Sequence, residues 1–120
     1  MTLTELLRKS AAERSRMTAL IFRDRRLSYE ELQRLVDQWA AVLYARGLRP
    51  GQAYGIVARN SPEFVITLFA VARLGARAAP VNFLLKPDEI AFIFQDAGVR
   101  GVLTQSPFLA AVRKAAQQAP

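Results

Sequence analysis

One phrase, repeated three times between Ser28 and Thr104, limits what this chain can fold into: an apolar helix, a glycine that stops it, then a short apolar strand. Gly47, Gly75 and Gly98 stand where a helix needs a left-handed residue just past its end. Strand-like runs follow at Tyr54–Arg59, Ala76–Val81 and Gly101–Thr104. Proline then opens a helix at Ser61-Pro62, Lys86-Pro87 and Ser106-Pro107, because its fixed φ and missing N–H cost nothing in a first turn. The rhythm predicts one α/β domain over residues 1–120, with a mostly parallel sheet in three layers and helices on both faces. Folds of this class bind ligands beyond the carboxyl ends of their strands.

Ahead of that rhythm, Thr2–Arg14 has Leu3, Leu6, Leu7 and Ala11 at helical spacing, with Thr2 or Thr4 as a cap. Met17–Phe22, a polar turn at Arg23–Arg26 and the return at Leu27 predict a small hairpin, although the turn lacks glycine. Ser28 and Glu31 form a capping-box pair that opens a helix running to Arg46. Trp39 lies in the apolar stripe of that helix, so a core position outweighs a stacking platform for a ring. Tyr54–Ala58 is too evenly apolar for a half-exposed strand and reads as a buried one. The helix from Pro62 to Leu74 is apolar nearly all round, which requires cover on several sides.

Composition removes most catalytic chemistry. With no cysteine and no histidine, the chain holds no disulfide, thiolate, imidazole zinc site or Ser-His-Asp triad of its own. No Gly-x-Gly-x-x-Gly or Gly-x-x-x-x-Gly-Lys motif occurs, so Ala58–Ser61 reads as a helix cap rather than a phosphate turn. Asn82 reads as a loop bridge rather than a substrate contact. Asp88 and Glu89 project about 100° apart on their helix, which suits the helix end charge better than shared acid–base work. No catalytic, cofactor-binding or metal-binding residue is assigned.

Seventeen basic residues against ten acidic give a net charge of +7. The charge raises nucleic-acid binding as an alternative, but the fourteen arginines are scattered rather than gathered on one face. The N-terminus has no apolar signal-peptide core, and no apolar run is long enough to span a bilayer. A cytoplasmic location is the default expectation.

Six blocks carry a resemblance. Leu27–Leu32 (LSYEEL), Gly47–Gly51 (GLRPG), Asn60–Phe64 (NSPEF), Leu74–Ala76 (LGA), Pro80–Asn82 (PVN) and Lys86–Ile90 (KPDEI) occur in the order found in adenylate-forming acyl-CoA synthetases. Across nearly the whole chain the sequence resembles the N-terminal segment of such an enzyme, with a texture nearest the long-chain fatty-acid CoA ligases. Phe83 and Arg77 depart from the family pattern. The resemblance implies a partial N-terminal subdomain whose parent adenylates a carboxylate with Mg2+-ATP and passes the acyl group to CoA. It also implies that the phosphate loop and catalytic lysine lie elsewhere, because Leu103-Thr-Gln-Ser106 lacks both glycine and lysine. The segment alone is therefore expected to be inactive and to bind no ATP, Mg2+ or CoA. Its expected partners are the remainder of the ligase chain and, through an exposed sheet edge or uncovered apolar faces, a second copy of itself. A stand-alone flavodoxin-like binding module is the other alternative.

Overall fold

A computed structural model describes residues 2–118. Thr2, of the two candidates, caps α1 (Leu3–Glu13): its hydroxyl accepts from the Glu5 N–H at 3.1 Å, and the Glu5 carboxylate accepts from the Thr2 N–H at 3.3 Å. Strands β1 (Thr18–Phe22) and β2 (Arg25–Ser28) form the antiparallel hairpin. Arg23 takes the place of the missing glycine by adopting φ 56°, a conformation that costs a side-chain-bearing residue about 1–2 kcal/mol. Its guanidinium lies 5.4 Å from the centre of the Phe22 ring.

The Ser28–Glu31 box opens α2 (Tyr29–Ala45), with both reciprocal bonds formed at 3.0 and 3.1 Å. At the far end Gly47 turns left-handed at φ 106°. Arg49 then donates to the carbonyls of Tyr44 (2.7 Å) and Leu48 (3.1 Å), and its guanidinium stacks 3.7 Å from the Tyr44 ring centre. A cation thus meets the negative end of α2.

The remaining elements alternate: β3 (Ala53–Val57), α3 (Pro62–Arg73), β4 (Arg77–Pro80), α4 (Pro87–Ala97), β5 (Val99–Thr104) and α5 (Leu109–Gln118). The strand order is β4-β3-β5 and both pairings are parallel. One core, around Leu32, Val36, Leu43, Ala70 and Val71, joins α1, α2 and α3 to one face of the sheet. A second core, around Val57, Ile90, Phe94, Val112 and Ala115, joins α4 and α5 to the other. The result is the three-layer α/β arrangement, with β3 central and its Ala53, Ile56 and Val57 almost fully buried. The apolar all-round character of α3 has its reason here, since α1, α2 and β4 all pack against it. Arg73 adds an ion pair to Asp37 of α2, Nε to Oδ1 at 3.1 Å.

Several boundaries differ from the sequence expectation: β3 covers Ala53–Val57 rather than Tyr54–Arg59, and β4 covers Arg77–Pro80 rather than Ala76–Val81. Strand β5 starts at Val99, two residues before Gly101, because Gly98 (φ 66°) ends α4 and releases the chain directly into the ladder. The last helix does not begin at Ser106: a 3-10 turn covers Ser106–Phe108 and α5 follows. Gln105 holds the cap position there without a side-chain cap bond, because its carboxamide is engaged across the sheet. Pro80 ends β4 on an edge, where a missing N–H is harmless, and Arg77 begins the same edge strand in an exposed position.

Two predictions follow from local geometry. A Cβ on Gly101 would lie 2.8 Å from Cε1 of Tyr54, so the half-buried ring or the strand would have to shift. Gly101→Ala should cost about 1–3 kcal/mol in denaturant unfolding, as overpacked cores do, and Tyr54→Leu in the same chain should recover part of the loss. Unchanged stability of the single variant contradicts this contact. The Glu31 carboxyl is held below its ordinary range by the Ser28 N–H first and the Ser28 hydroxyl second. A depressed folded pKa gives stability that is full above the unfolded value, about 4.3, and is lost as pH falls through the folded one. Ser28→Ala keeps the N–H and removes the hydroxyl, so it should flatten that acid limb in part, and an NMR titration of Glu31 unchanged by the substitution would refute the hydroxyl's share.

Candidate functional site

The three parallel strands deliver their carboxyl ends to one rim of the sheet. In the order β4-β3-β5, the connection from β3 runs to one neighbour and the connection from β4 crosses to the other side. The crevice between the ends of β3 and β5 is therefore the switch point at which such sheets place ligands. A cleft of about 790 Å³ opens there, lined by Arg59 and Asn60 after β3, Phe83 after β4, Gln105 to Pro107 after β5, and Phe22 and Arg23 of the hairpin.

Its floor is tied together by side chains. The Thr104 hydroxyl donates to the Val57 carbonyl at 2.8 Å, and the Arg59 N–H donates to Gln105 Oε1 at 3.0 Å. Phe83 and Phe108 pack with ring centres 4.8 Å apart and planes inclined by 31°. The Arg59 guanidinium lies over both, 5.8 and 5.7 Å from their centres, within cation–π range. Glu63 reaches the same rim, but its carboxylate pairs with Arg25 at 3.0 Å. Both partners are about half exposed, so the pair adds little stability.

The residues weighed from sequence take structural roles. The Ser61 hydroxyl accepts from the Phe64 N–H at 3.2 Å, which makes Ala58–Ser61 a capped strand-to-helix turn. Asn82 Oδ1 accepts from the Leu84 N–H at 2.9 Å and bridges its own loop. The Glu89 carboxylate accepts from the Lys86 N–H at 3.0 Å, so it closes the start of α4, away from the cleft lining. Trp39 is half-buried against the α1–α3 core. The Arg59–Phe83–Phe108–Gln105 cluster is the grouping that pattern reading missed. Its one sequence signal is that its members all follow strand ends: Arg59 after β3, Phe83 after β4, and Gln105 and Phe108 after β5.

Chemically, the rim offers a guanidinium, an asparagine amide and hydroxyls, with no base positioned against a nucleophile. Such a set can orient a polar or anionic group. Among the described residues no group of His, Cys, Asp or Glu gathers to hold a metal ion. No helix among them is long and apolar enough to cross a membrane.

Comparison with known proteins agrees with this architecture. The chain matches the AMP-binding enzyme family over residues 7–120. Tyrocidine synthase 1 of Brevibacillus parabrevis is 37% identical over 87 residues, which are 72% of this chain and 8% of that protein. Crotonobetaine/carnitine–CoA ligase of Salmonella arizonae is 32% identical over 106 residues, covering 84% of this chain and 20% of the ligase. Among solved structures, the anthranilate CoA ligase AuaEII in complex with anthranoyl-AMP superposes with a TM-score of 0.94 at 28% identity. That match takes in 100% of this chain and 23% of the ligase. The chain thus spans less than a quarter of the length of each of these three proteins. Its fold is that of the N-terminal subdomain of adenylate-forming ligases, and the chain belongs to the AMP-binding enzyme family.

Proposed function

We propose that this chain is scaffold from the N-terminal part of an acyl-CoA ligase, one that builds an acyl-adenylate from a carboxylate and ATP and then a CoA thioester. The observation that carries the reading is the superposition of the whole chain on under a quarter of a CoA ligase. The fatty-acyl branch is the version we favour, on the six motif blocks and on the likeness to the N-terminal domain of FACL13 from Mycobacterium tuberculosis, 31% identical with a TM-score of 0.87. In such an enzyme these residues hold the first strands of the sheet in place and present the Arg59 rim toward whatever the rest of the protein assembles beside it.

Alone, the segment is proposed to be inactive. Adenylation demands concentrated charge around the phosphoryl group under attack, commonly a lysine, a metal ion and backbone amides together. The rim brings two arginines, and the Gly-rich loop that would cradle a phosphate is not in the sequence. Purified chain incubated with Mg2+-ATP, a panel of carboxylic acids and labelled pyrophosphate should give no exchange above a protein-free control. Exchange that rises with protein concentration refutes inactivity.

The same reading carries an expectation about assembly. Edge strands with free backbone groups pair with whatever strand they meet. The purified chain should therefore form a homodimer or larger species, and monomeric light scattering at high concentration would count against it.

A further inference from the structure

We propose that the outer half of the β1–β2 hairpin is a strap over the carboxyl-rim cleft, held shut by the Arg25–Glu63 ion pair and released when that pair breaks.

The hairpin is anchored at one end. Ala19, Leu20 and Leu27 pack against the α1–α3 core. At the base, the Tyr29 and Glu30 N–H groups donate to the Met17 and Ser15 carbonyls, both at 3.0 Å. Beyond Leu20 that anchorage stops. Ile21 and Phe22 belong to neither core, and Arg23 to Arg26 are exposed. Strands β1 and β2 form a sheet of their own, and a two-stranded pair by itself is marginally stable in water. Its register shifts between Thr18 and Leu20, an irregularity at which the outer half can bend.

This outer half reaches the cleft, where Phe22 and Arg23 share the lining with Arg59, Phe83 and Gln105. Among the described residues, its one side-chain hydrogen bond or ion pair to the rest of the chain joins Arg25 to Glu63 at 3.0 Å. Charge makes that contact decisive. Glu63 is the one acid among the residues that line the cleft, whereas Arg23 and Arg59 both line it. Closing the hairpin therefore brings like charges toward each other, and one half-exposed pair opposes them. Neither effect is large at a solvated surface. Opposed effects of similar size populate two positions, and a small change in charge or screening shifts the balance. Closed, the hairpin narrows the mouth of the cleft; released, it opens the Arg59 cluster to solvent.

The chain has no cysteine, so paired spin labels can be introduced without background. Asp24→Cys at the hairpin tip with Ser106→Cys in the cleft lining spans the mouth. Ala41→Cys on α2 with Ser106→Cys spans the body of the domain. Pulsed dipolar spectroscopy on the first pair should give a shorter distance and a minor longer one. Arg25→Gln and Glu63→Gln should each raise the longer-to-shorter ratio about two- to fivefold, as loss of an exposed ion pair does. The Ala41–Ser106 distance should stay as it is.

Salt supplies a sign. In about 1 M sodium chloride, where the screening length is about 3 Å, the chain with Arg25 and Glu63 intact should open. Arg25→Gln should be unchanged or partly closed by the same salt, because only repulsion remains there to be screened. One distance in all three proteins overturns the proposal. An effect of Glu63→Gln alone also overturns it, since that substitution removes an acid from the start of α3 as well. Equal broadening of both label pairs, the mark of general loosening, does the same.

Discussion

The fold depends on β3 being bonded on both sides and covered on both faces. A parallel strand in that position has no solvent-facing side, so its residues must be apolar and its backbone groups must be met by neighbours. Ala53, Ile56 and Val57 satisfy the first demand, and the ladders to β4 and β5 satisfy the second. Gly55 makes the arrangement tighter still: a Cβ there would lie 3.3 Å from Val99 and 3.4 Å from the Phe94 ring, so glycine lets α4 approach the sheet. Each helical layer then forms its own core against one face of this strand. The carboxyl rim exists because the three strands leave the sheet at a common level.

At that rim side chains hold one another in position. Arg59 is steadied by two aromatic rings, and its backbone is tied to Gln105, which fixes the distance between the ends of β3 and β5. This is the work expected of scaffold in an AMP-binding enzyme.

Much of the frame was legible in the residues. Helix stops at Gly47, Gly75 and Gly98, proline starts at Pro62 and Pro87, and the Ser28–Glu31 box are local signals, decided by a few adjacent residues and hence readable one at a time. The hairpin turn was readable only by its polarity, because Arg23 adopts a conformation that glycine usually marks. The start of α5 was misread for a non-local reason: Gln105 spends its carboxamide on Arg59, forty-six residues away in sequence, and no cap remains. The aromatic pair below Arg59 was hidden likewise, since Phe83 and Phe108 meet only after two strands have been laid side by side. Trp39 looked like core and is half so; its unmet N–H is a property of neighbours, which a helical stripe does not describe.

The opposite rim is joined in another manner. There the Gly51 N–H donates to the Gly75 carbonyl at 2.9 Å and the Arg77 N–H to the Gln52 carbonyl at 2.7 Å, main chain to main chain. Such bonds survive almost any exchange of side chains. Substitutions in the amino-terminal loops therefore leave these two ties standing, so long as glycine keeps its left-handed turns and Arg49 its bonds to the end of α2. The carboxyl rim, tied through the side chains of Thr104 and Gln105, holds its spacing by residue identity, and a substitution there retunes the width of the opening.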